Sequence, residues 1–558
     1  MGKKSFDLPQ ECWELIIKSL NDHHMETLSL VSHTLLSITN HLRHTLTIST
    51  QPIQFLPQLF HRFPNLNKLI LPRFQPDIDS LLFRISQSNI NLQSLILYPQ
   101  FTFPLRGIQH LGSKMTNLKE LNCSGMQSLQ CRDLCAIGNS FPFLQVLDIS
   151  FTDSFDVNDD GIVDLSLKLK SLREINLSGN FLLTDESLVA LSSNCLSLRK
   201  VVILDCIFIT QNGIGLLLRD CRNLETISVN GLGTLSIDGF LMSSFAYAKG
   251  LCEVGLSSLC KSDEFLCRVG EACLPLRKLA LSYCCGFTFD GISVLLGKYQ
   301  SLVYINLERS DFLSDEALVE LCKFFHSLRS INLNSCYNLT NTSFFTLTRE
   351  CTLLTEIKME RTKLGLELFD TGCMVGNTQI ICQNLATNDN LSDDFIIKIG
   401  SICPNVQVLD VSHCSGITEE GIVETLKNFK GIRHLNMNHC NGKKGFNIDF
   451  DLPKLEVLEV EGSVMNDDAL AAIGKKCCGL LCLHLQGCLN VTRRGVKHVV
   501  ENCRALREIN LKQCIIEGDL VAWMVSARPS LRHIIPPWGF VPTENLRGFF
   551  LRHGCLLG

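Results

Sequence analysis

The 558-residue chain has no apolar run approaching the roughly 20 residues that a membrane-spanning helix needs. It also lacks a strong charge of either sign, since 51 Lys and Arg stand against 56 Asp and Glu, a net charge of −5. A weakly acidic chain does not favour nucleic acid as the partner. The first residues carry no apolar signal segment. We therefore expect no membrane attachment, and a location in the cytoplasm, the nucleus or both.

Recognisable sites of chemistry are missing as well. Neither glycine-rich phosphate motif, G-x-x-x-x-G-K-[ST] or G-x-G-x-x-G, occurs where a strand would lead into a helix. Cys477, Cys478, Cys482 and Cys488 cluster, but no C-x-x-C pair has a partner at zinc-ribbon spacing. The sequence therefore predicts no catalytic residues, no metal site and no cofactor, and a protein that is not itself an enzyme.

What the chain does have is a pattern of about 26 residues that recurs along most of its length. In one copy Leu172, Ile175 and Leu177 form L-x-x-L-x-L, Thr184 begins a helix, and Leu188 and Leu191 continue it. Nineteen copies follow this pattern, with their first apolar residues at positions 66, 92, 118, 144, 172, 198, 224, 251, 276, 302, 328, 354, 380, 406, 432, 455, 480, 506 and 531. So regular a repeat is typical of a solenoid.

The physical chemistry of one copy predicts an α/β unit. Ile175 and Leu177 alternate with Glu174 and Asn176, as in a short strand with one buried face. The helix that follows turns its apolar side back onto that strand, and neighbouring copies must stack to share a core. We expect a parallel sheet along a concave surface, with helices on the convex side. This resembles the ribonuclease-inhibitor-like leucine-rich repeats, specifically the cysteine-containing type.

Half of the 28 cysteines follow the repeat. Seven lie eight residues after the first apolar residue and seven lie three residues before it, namely Cys206, Cys284, Cys336, Cys414, Cys440, Cys488 and Cys514, and Cys195, Cys221, Cys273, Cys351, Cys403, Cys477 and Cys503. These positions suit small buried side chains, so free thiols in a reducing compartment are favoured over disulfides. Asn180 and Asn388 replace cysteine at the first position, where we expect them to bond the backbone of the turn.

Residues 1–48 do not repeat. Trp13, Ile16, Ile17 and Leu20 fall at helical spacing, and Leu28, Val31 and Leu35 predict a second helix. Helices this short hold too little core to stand alone, so they must dock on something.

The segment LPQECWELIIKSL…LSLVSHTLLSITNHLRHTLTI resembles an F-box of the plant-type F-box/leucine-rich-repeat proteins. The resemblance implies an F-box at 1–48, a solenoid of about nineteen repeats at 49–535 and a C-terminal cap at 536–558. It also implies that Leu8, Pro9, Ile16, Leu20, Leu28 and Val31 face a Skp-family adaptor, through which a cullin is reached. His33 and Leu35 depart from the family pattern, in which Lys or Arg and then Trp are common. The alternative is that the helices only cap the solenoid.

The strand residues expected to face outward favour a protein partner with basic character. Eleven of them are acidic and five are lysines, namely Glu120, Asp148, Glu174, Glu253, Glu308, Glu356, Glu360, Asp410, Glu459, Glu461 and Glu508, and Lys68, Lys200, Lys278, Lys358 and Lys512. Small outward residues predict a depression for substrate at Ser228, Gly255 and Ala280, edged by Lys200 and Tyr304. A merely solvated face, with small residues that let the solenoid curve, is the alternative.

Two functions remain from the sequence. By resemblance, the chain is the substrate-recognition subunit of a Skp–cullin–F-box (SCF) ubiquitin ligase, and it presents target proteins for ubiquitination and proteasomal degradation. The alternative is a leucine-rich-repeat binding scaffold that has no link to ubiquitin.

Overall fold

The structure is a computed structural model, and it describes residues 8–20, 22–48, 56–72, 77–152, 156–231, 239–258, 262–366, 375–440, 446 and 448–558, with the backbone alone at 22–24 and 27. Two compact units make up the chain, Met1–Pro275 and Leu276–Gly558. Each is built by alternation of strands and helices, and each is taken by itself below.

Three helices open the first unit: α1 (Gln10–Lys18), α2 (Asp22–Ser29) and α3 (His33–Leu42). Ile17, Met25, Leu35 and Ile38 form a small core, against which Trp13, Leu20, Leu28 and Leu42 pack. The prediction of one helix through Leu28, Val31 and Leu35 is wrong. Ser32 accepts a hydrogen bond from the Leu35 N–H at 3.2 Å, and this N-cap starts α3 as a separate helix.

The strands of the first unit run parallel in chain order. They are β1 (Thr45–Thr47), β2 (Lys68–Ile70), β3 (Ser94–Ile96), β4 (Glu120–Asn122), β5 (Val146–Asp148), β6 (Glu174–Asn176), β7 (Lys200–Ile203), β8 (Thr226–Asn230) and β9 (Glu253–Ser257). The helices are α4 (Leu56–Arg62), α5 (Ile78–Ser86), α6 (Leu105–Lys114), α7 (Cys131–Ser140), α8 (Asp159–Lys168), α9 (Asp185–Asn194), α10 (Gln211–Asp220), α11 (Gly239–Ser244) and α12 (Asp263–Glu271).

The second unit continues the same alternation. Its strands are β10 (Lys278–Ala280), β11 (Tyr304–Asn306), β12 (Ser330–Asn332), β13 (Glu356–Lys358), β14 (Cys382–Asn384), β15 (Val408–Asp410), β16 (His434–Asn436), β17 (Val457–Glu459), β18 (Cys482–His484), β19 (Glu508–Asn510), β20 (His533–Ile535) and β21 (Leu556–Leu557). They also pair in parallel, each with the next. The helices are α13 (Phe289–Lys298), α14 (Asp315–Leu321), α15 (Asn341–Glu350), α16 (Asp393–Ile402), α17 (Glu419–Leu426), α18 (Asp467–Lys476), α19 (Arg493–Asn502), α20 (Asp519–Ala527) and α21 (Glu544–Arg552).

The predicted α/β repeat is confirmed. Each strand from β2 to β20 begins two residues after the first apolar residue of a copy, so all nineteen copies contribute a strand. Within the copy quoted above, Leu172, Ile175 and Leu177 are buried, as are Leu188 and Leu191 of the helix. The expected N-cap also forms, because the Thr184 hydroxyl accepts the Glu186 N–H.

The chain ends extend the sheet beyond the nineteen copies. At the start, β1 lies within residues 1–48 and pairs with β2, so the last residues of that segment join the sheet. At the end, β21 extends the ladder beyond β20, which the sequence did not predict. Phe550 is buried as expected of a cap, but Trp538 is 87% exposed and does not cover the core. The limits 1–48, 49–535 and 536–558 stay a prediction.

Thirteen of the fourteen repeat cysteines are buried as predicted, and Cys273 is the exception. Helix α12 ends at Glu271, and Cys273 then takes a left-handed backbone conformation with φ of 50°. Its thiol is exposed, while Ala272 and Leu274 on either side are buried. Because the helix ends early, Ala272 and Leu274 take the buried positions and Cys273 does not.

The two repeat asparagines bond the backbone as predicted. Asn180 Nδ2 donates to the carbonyls of Ile149 at 2.9 Å and Leu177 at 2.8 Å. Asn388 Nδ2 donates to Met359 O at 2.8 Å and Leu385 O at 2.9 Å. Cysteines at the same repeat position donate more weakly to one of these carbonyls, as Cys206 does to Leu177 O at 3.2 Å.

Candidate protein-binding surfaces

The N-terminal helices expose a set of large apolar side chains. Four of the six predicted adaptor-facing residues are exposed, namely Leu8, Pro9, Ile16 and Val31. The other two, Leu20 and Leu28, are half-buried and pack against the small core, so they hold the helices together more than they face outward. Whether any of the six binds an adaptor stays a prediction.

Two further apolar residues join this exposed set and were missed from the sequence. Leu15 is 70% exposed on α1, and Leu30 is 82% exposed just after α2. The sequence did give one indication of their exposure, because neither residue falls at a core position in the helical spacing of its segment. We call Leu8, Pro9, Leu15, Ile16, Leu30 and Val31 the N-terminal apolar patch. A monomer gains nothing from exposing so many apolar groups on so small a segment, which points to a protein contact.

The second candidate surface is the outer strand face, made of the first and third residues of each strand. In most strands the middle residue is buried and these two are half-exposed, as in Glu174 and Asn176 around Ile175. Side chains alternate along a strand, so this face follows directly from the repeat. Most of the predicted acidic and lysine residues occupy it.

The residues predicted to form a substrate depression are distributed over both units. In the first unit Ser228 and Gly255 lie side by side on β8 and β9, and Lys200 lies 3.8 Å from Glu174. A Cβ atom added to Gly255 would approach Ser228 Oγ to 3.2 Å, so a larger residue there requires Ser228 to move. In the second unit Ala280 and Tyr304 lie on neighbouring strands. Substrate binding at these five residues stays a prediction.

The first unit contains a cavity of about 170 Å³ on its outer strand face, between β4 and β7. Asp148 lines it, and its Oδ1 accepts the N–H of Ser150 at 2.9 Å and the Ser150 hydroxyl at 2.6 Å. Asn122 and Asn176 donate to the other carboxylate oxygen at 3.4 and 3.3 Å. Glu120, Glu174 and Lys200 also line the cavity, so three carboxylates face one lysine and the cavity is predominantly acidic.

In the second unit, histidines and glutamates alternate across the outer strand face from β16 to β20. Glu508 Oε1 lies 3.4 Å from His484 Nε2 and 3.3 Å from His533 Nδ1. These two imidazoles hold the pKa of Glu508 down to about 2 against the opposing effect of burial. Glu508 in turn raises the pKa of His484, and His434, 2.8 Å from Glu459, lowers the pKa of that carboxyl.

Within the described residues, no three His, Cys, Asp or Glu side chains come together in a way that could hold a metal ion. In the same part of the chain, no helix has both the length and the apolar character to cross a bilayer.

Comparison with known proteins gives distant matches. No family model matches the chain. F-box/LRR-repeat protein 4 of Bos taurus is 25% identical over 220 residues, which are 35% of this chain and 35% of that protein. The BTB/POZ domain-containing protein FBL11 of Arabidopsis thaliana is 21% identical over 250 residues, or 44% of this chain and 24% of that protein. These matches support an F-box/LRR relationship. The chain therefore spans about a third and about a quarter of the lengths of these relatives.

Solved structures with a similar chain include the yeast complex of Rad7 and Elc1 and the complex of TLR13 with ssRNA13. The first has a TM-score of 0.48 at 20% identity and covers 77% of this chain and 98% of its own. The second has a TM-score of 0.43 at 17% identity and covers 92% of this chain and 77% of its own.

Proposed function

We propose that this chain is the substrate-recognition subunit of an SCF-type ubiquitin ligase. Its N-terminal helices bind a Skp-family adaptor, which connects the chain to a cullin. Its repeats bind a target protein on the outer strand face for ubiquitination and proteasomal degradation. The chain itself contributes binding and no catalysis, and it acts in the cytoplasm, the nucleus or both.

The N-terminal apolar patch is the observation that carries this proposal. The three helices have their own small core, in which Ile17 and Ile38 are buried, and still leave Leu15, Leu30 and Val31 largely in solvent. A segment that only capped the solenoid would turn its large apolar residues toward the repeats. Exposed apolar side chains on a short helical segment are what a protein–protein contact requires. The similarity to F-box/LRR-repeat protein 4 supports the same assignment.

The outer strand face supports the second half of the proposal. In each unit it is polar and mostly acidic, and its side chains form hydrogen bonds such as those around Asp148. A rigid acidic face favours protein segments with basic character and repels the phosphates of a nucleic acid.

The test is adaptor binding by Leu8→Ala/Pro9→Ala, measured by co-purification of a Skp-family adaptor. The double variant keeps the Pro9 carbonyl that accepts the N–H groups of Cys12 and Trp13, so α1 can still start. We expect adaptor recovery to fall at least about tenfold, because exposed apolar anchors dominate such interfaces. Val189→Ala, a change to an exposed apolar residue of α9, is the matched control and should leave recovery unchanged.

Normal adaptor recovery by the double variant would show that these residues are not the adaptor contact. If the unmodified, folded chain recovers no adaptor at all, the chain is a binding scaffold without a link to ubiquitin.

A further inference from the structure

A row of exposed apolar side chains lies between the strand ends and the helix starts of three consecutive repeats in the first unit. We call Phe151, Phe181, Leu182, Ile207 and Phe208 the loop row. Their exposed fractions lie between 38% and 54%. They stand outside the L-x-x-L-x-L pattern, so the shared core has no place for them.

The fold places these residues in adjacent loops and ties the loops to one another through the backbone. Phe181 and Ile207 occupy the same repeat position in neighbouring copies, as do Leu182 and Phe208. Leu182 forms a backbone bridge with Asn158, and Phe208 forms one with Thr184, so consecutive loops run side by side. Asn180, the residue before Phe181, is buried, and its side chain donates to the carbonyls of Ile149 and Leu177. A surface anchored in this way does not collapse inward to hide its apolar groups.

Phe151 belongs to the same surface. Its φ of 50° turns it into the left-handed region, and a Cβ atom on Gly179 would lie 2.6 Å from the Phe151 ring. The ring therefore lies over Gly179 of the next repeat. Only glycine leaves room for the ring there, and Gly179 itself has a φ of 73°. The row thus continues from one repeat to the next.

The charge next to the loop row is mostly negative. Residues 148–152, 156–167, 176–198 and 202–218 follow the strand ends of these repeats, and they contain eight Asp and Glu but no Lys or Arg. Basic residues come only in the last turns of two of the helices, at Lys168 of α8 and Arg219 of α10. Asp205 is exposed on the strand side of the row, and Asp160 and Glu186 are exposed on the helix side. The acidic cavity around Asp148 opens on the same strands, β4 to β7. Lys200 also lines that cavity, and its Nζ lies 3.8 Å from Glu174 Oε2.

We infer that the loop row docks a segment of a partner protein that presents two or more apolar anchors flanked by Lys or Arg. The anchors cover the phenylalanines, and the basic groups meet the carboxylates on both sides. A basic side chain of the same segment reaches the cavity that Asp148 lines. A second acidic surface and the phosphates of a nucleic acid are both repelled here. The inference rests on the proposed role of the repeats as a protein-binding surface.

The experiment selects peptides from a random phage-displayed library, about 16 residues long, on the purified full-length chain. The affinity of each enriched peptide is then measured for the parent chain and for two double variants. Phe181→Ser/Phe208→Ser removes the two phenylalanines, and Asp160→Asn/Glu186→Gln neutralises two of the carboxylates. Phe143→Ser is the matched control, because Phe143 is equally exposed but lies before the strand, at the other end of the repeat. Circular dichroism checks that each variant is folded.

We expect enriched peptides to carry apolar residues beside Lys or Arg and to bind the phenylalanine variant at least about tenfold more weakly. Asp160→Asn/Glu186→Gln should bind these peptides several-fold more weakly than the parent at low salt. The control Phe143→Ser should bind them with the affinity of the parent. Enrichment without basic character would overturn the inference, as would equal binding to the phenylalanine variant. Binding of a single-stranded RNA probe that depends on Phe181 and Phe208 would also overturn the inference.

Adaptor co-purification by the same variants separates this result from the proposed function. All of them should recover the Skp-family adaptor normally, because the loop row lies outside the N-terminal helices. Loss of peptide binding with normal adaptor recovery is the expected combination. Normal adaptor recovery without any selected basic, apolar peptide would refute the loop row alone.

Discussion

Threonines at several helix starts tie their helix to the one before it. Thr492 donates its N–H to Asp467 Oδ1 at 2.8 Å and its hydroxyl to Asp467 Oδ2 at 2.5 Å. The same pair of bonds, 25 residues apart, joins Thr184 to Asp159, Thr210 to Asp185, Thr340 to Asp315 and Thr418 to Asp393. Each aspartate also lies in the first turn of its own helix, where a negative charge is favoured.

Thr492→Val tests this link. Besides binding Asp467, the Thr492 hydroxyl caps α19 by accepting the Arg494 N–H at 3.2 Å. We expect the free energy of unfolding to fall by about 2 kcal/mol, since an N-cap and a partner of a carboxylate are lost together. Chemical denaturation measures the change. Thr378→Val, at an exposed threonine of the same unit, should cost little. Equal costs for the two variants would contradict the role of the link.

Protonation also matters at the residue scale, through Glu508 and its two histidines. Burial alone would raise the pKa of Glu508, but His484 and His533 lower it from 4.5 to about 2. The stabilisation from this carboxylate is therefore present above pH 4.5 and is lost as pH falls toward 2. The raised pKa of His484 acts in the other direction, because its contribution is present below 6.5 and is lost as pH rises through the folded value.

Glu508→Gln should therefore destabilise the second unit most between about pH 4.5 and 6.5. We expect a loss of about 1 kcal/mol, because the group is partly screened by solvent. Thermal unfolding of the parent and the variant at several pH values measures it. Glu350→Gln, which breaks the exposed pair with Arg349, is the control and should show no such window. A pH-independent difference would contradict the network.

At the scale of the element, a left-handed residue follows most strands. It lies seven residues after the first apolar residue of the copy, as at Phe151, Tyr283, Arg309, His413 and Gly462. The N–H of this residue donates to a carbonyl of the next repeat, as His413 does to Asn438 O at 2.8 Å. The strand can then turn toward its helix without leaving a backbone donor unpaired. His413 and His439 stack at 4.6 Å in this column.

Gly462 and Gly487 provide a matched pair for this turn. Both have positive φ, 63° and 71°, so either substitution by alanine incurs the left-handed penalty. A Cβ on Gly462 would also lie 2.3 Å from His439 Nδ1, whereas a Cβ on Gly487 finds its nearest atom at 3.7 Å. We expect Gly487→Ala to cost about 1 kcal/mol and Gly462→Ala about 1 kcal/mol more. Denaturation curves measure both, and equal costs would show that His439 moves away freely.

At the scale of the whole molecule, the cysteines divide into buried and exposed groups. Of the 26 that lie in the described residues, all are free, and most of those in the repeat frame are buried. Burial raises the pKa of Cys206 to about 11 and that of Cys403 to about 12, so their thiols are poorly reactive at neutral pH. Cys12, Cys273, Cys285 and Cys478 are exposed.

Thiol labelling of the native chain should therefore modify these four exposed cysteines first. Mass spectrometry after brief alkylation at neutral pH identifies them. Denaturation without reductant should then release the remaining thiols for labelling. Rapid native labelling of Cys206 or Cys403 would contradict the burial, and several thiols that react only after reduction would show disulfides and overturn the expected reducing compartment.

The repeat frame and its elements were determined by the sequence alone, because a strand with alternating Ile175 and Leu177 and a helix capped by Thr184 depend on neighbours close in the chain. Buried cysteines and the turn asparagines followed from the same period. Only the tertiary structure decided which of these side chains are exposed. Cys273 left the core because α12 ends early, and Leu20 and Leu28 turned inward because three helices share one small core.

The surface features also divide into those that the sequence alone predicts and those that only the tertiary structure shows. The acidic outer strand face could be predicted, since alternation along a strand needs no knowledge of the partner strands. The loop row and the Thr492–Asp467 type of link could not. Their members are about 25 residues apart in the chain, and they become neighbours only when one repeat stacks on the next. Contacts of that kind depend on the packing of repeats rather than on the pattern within one of them.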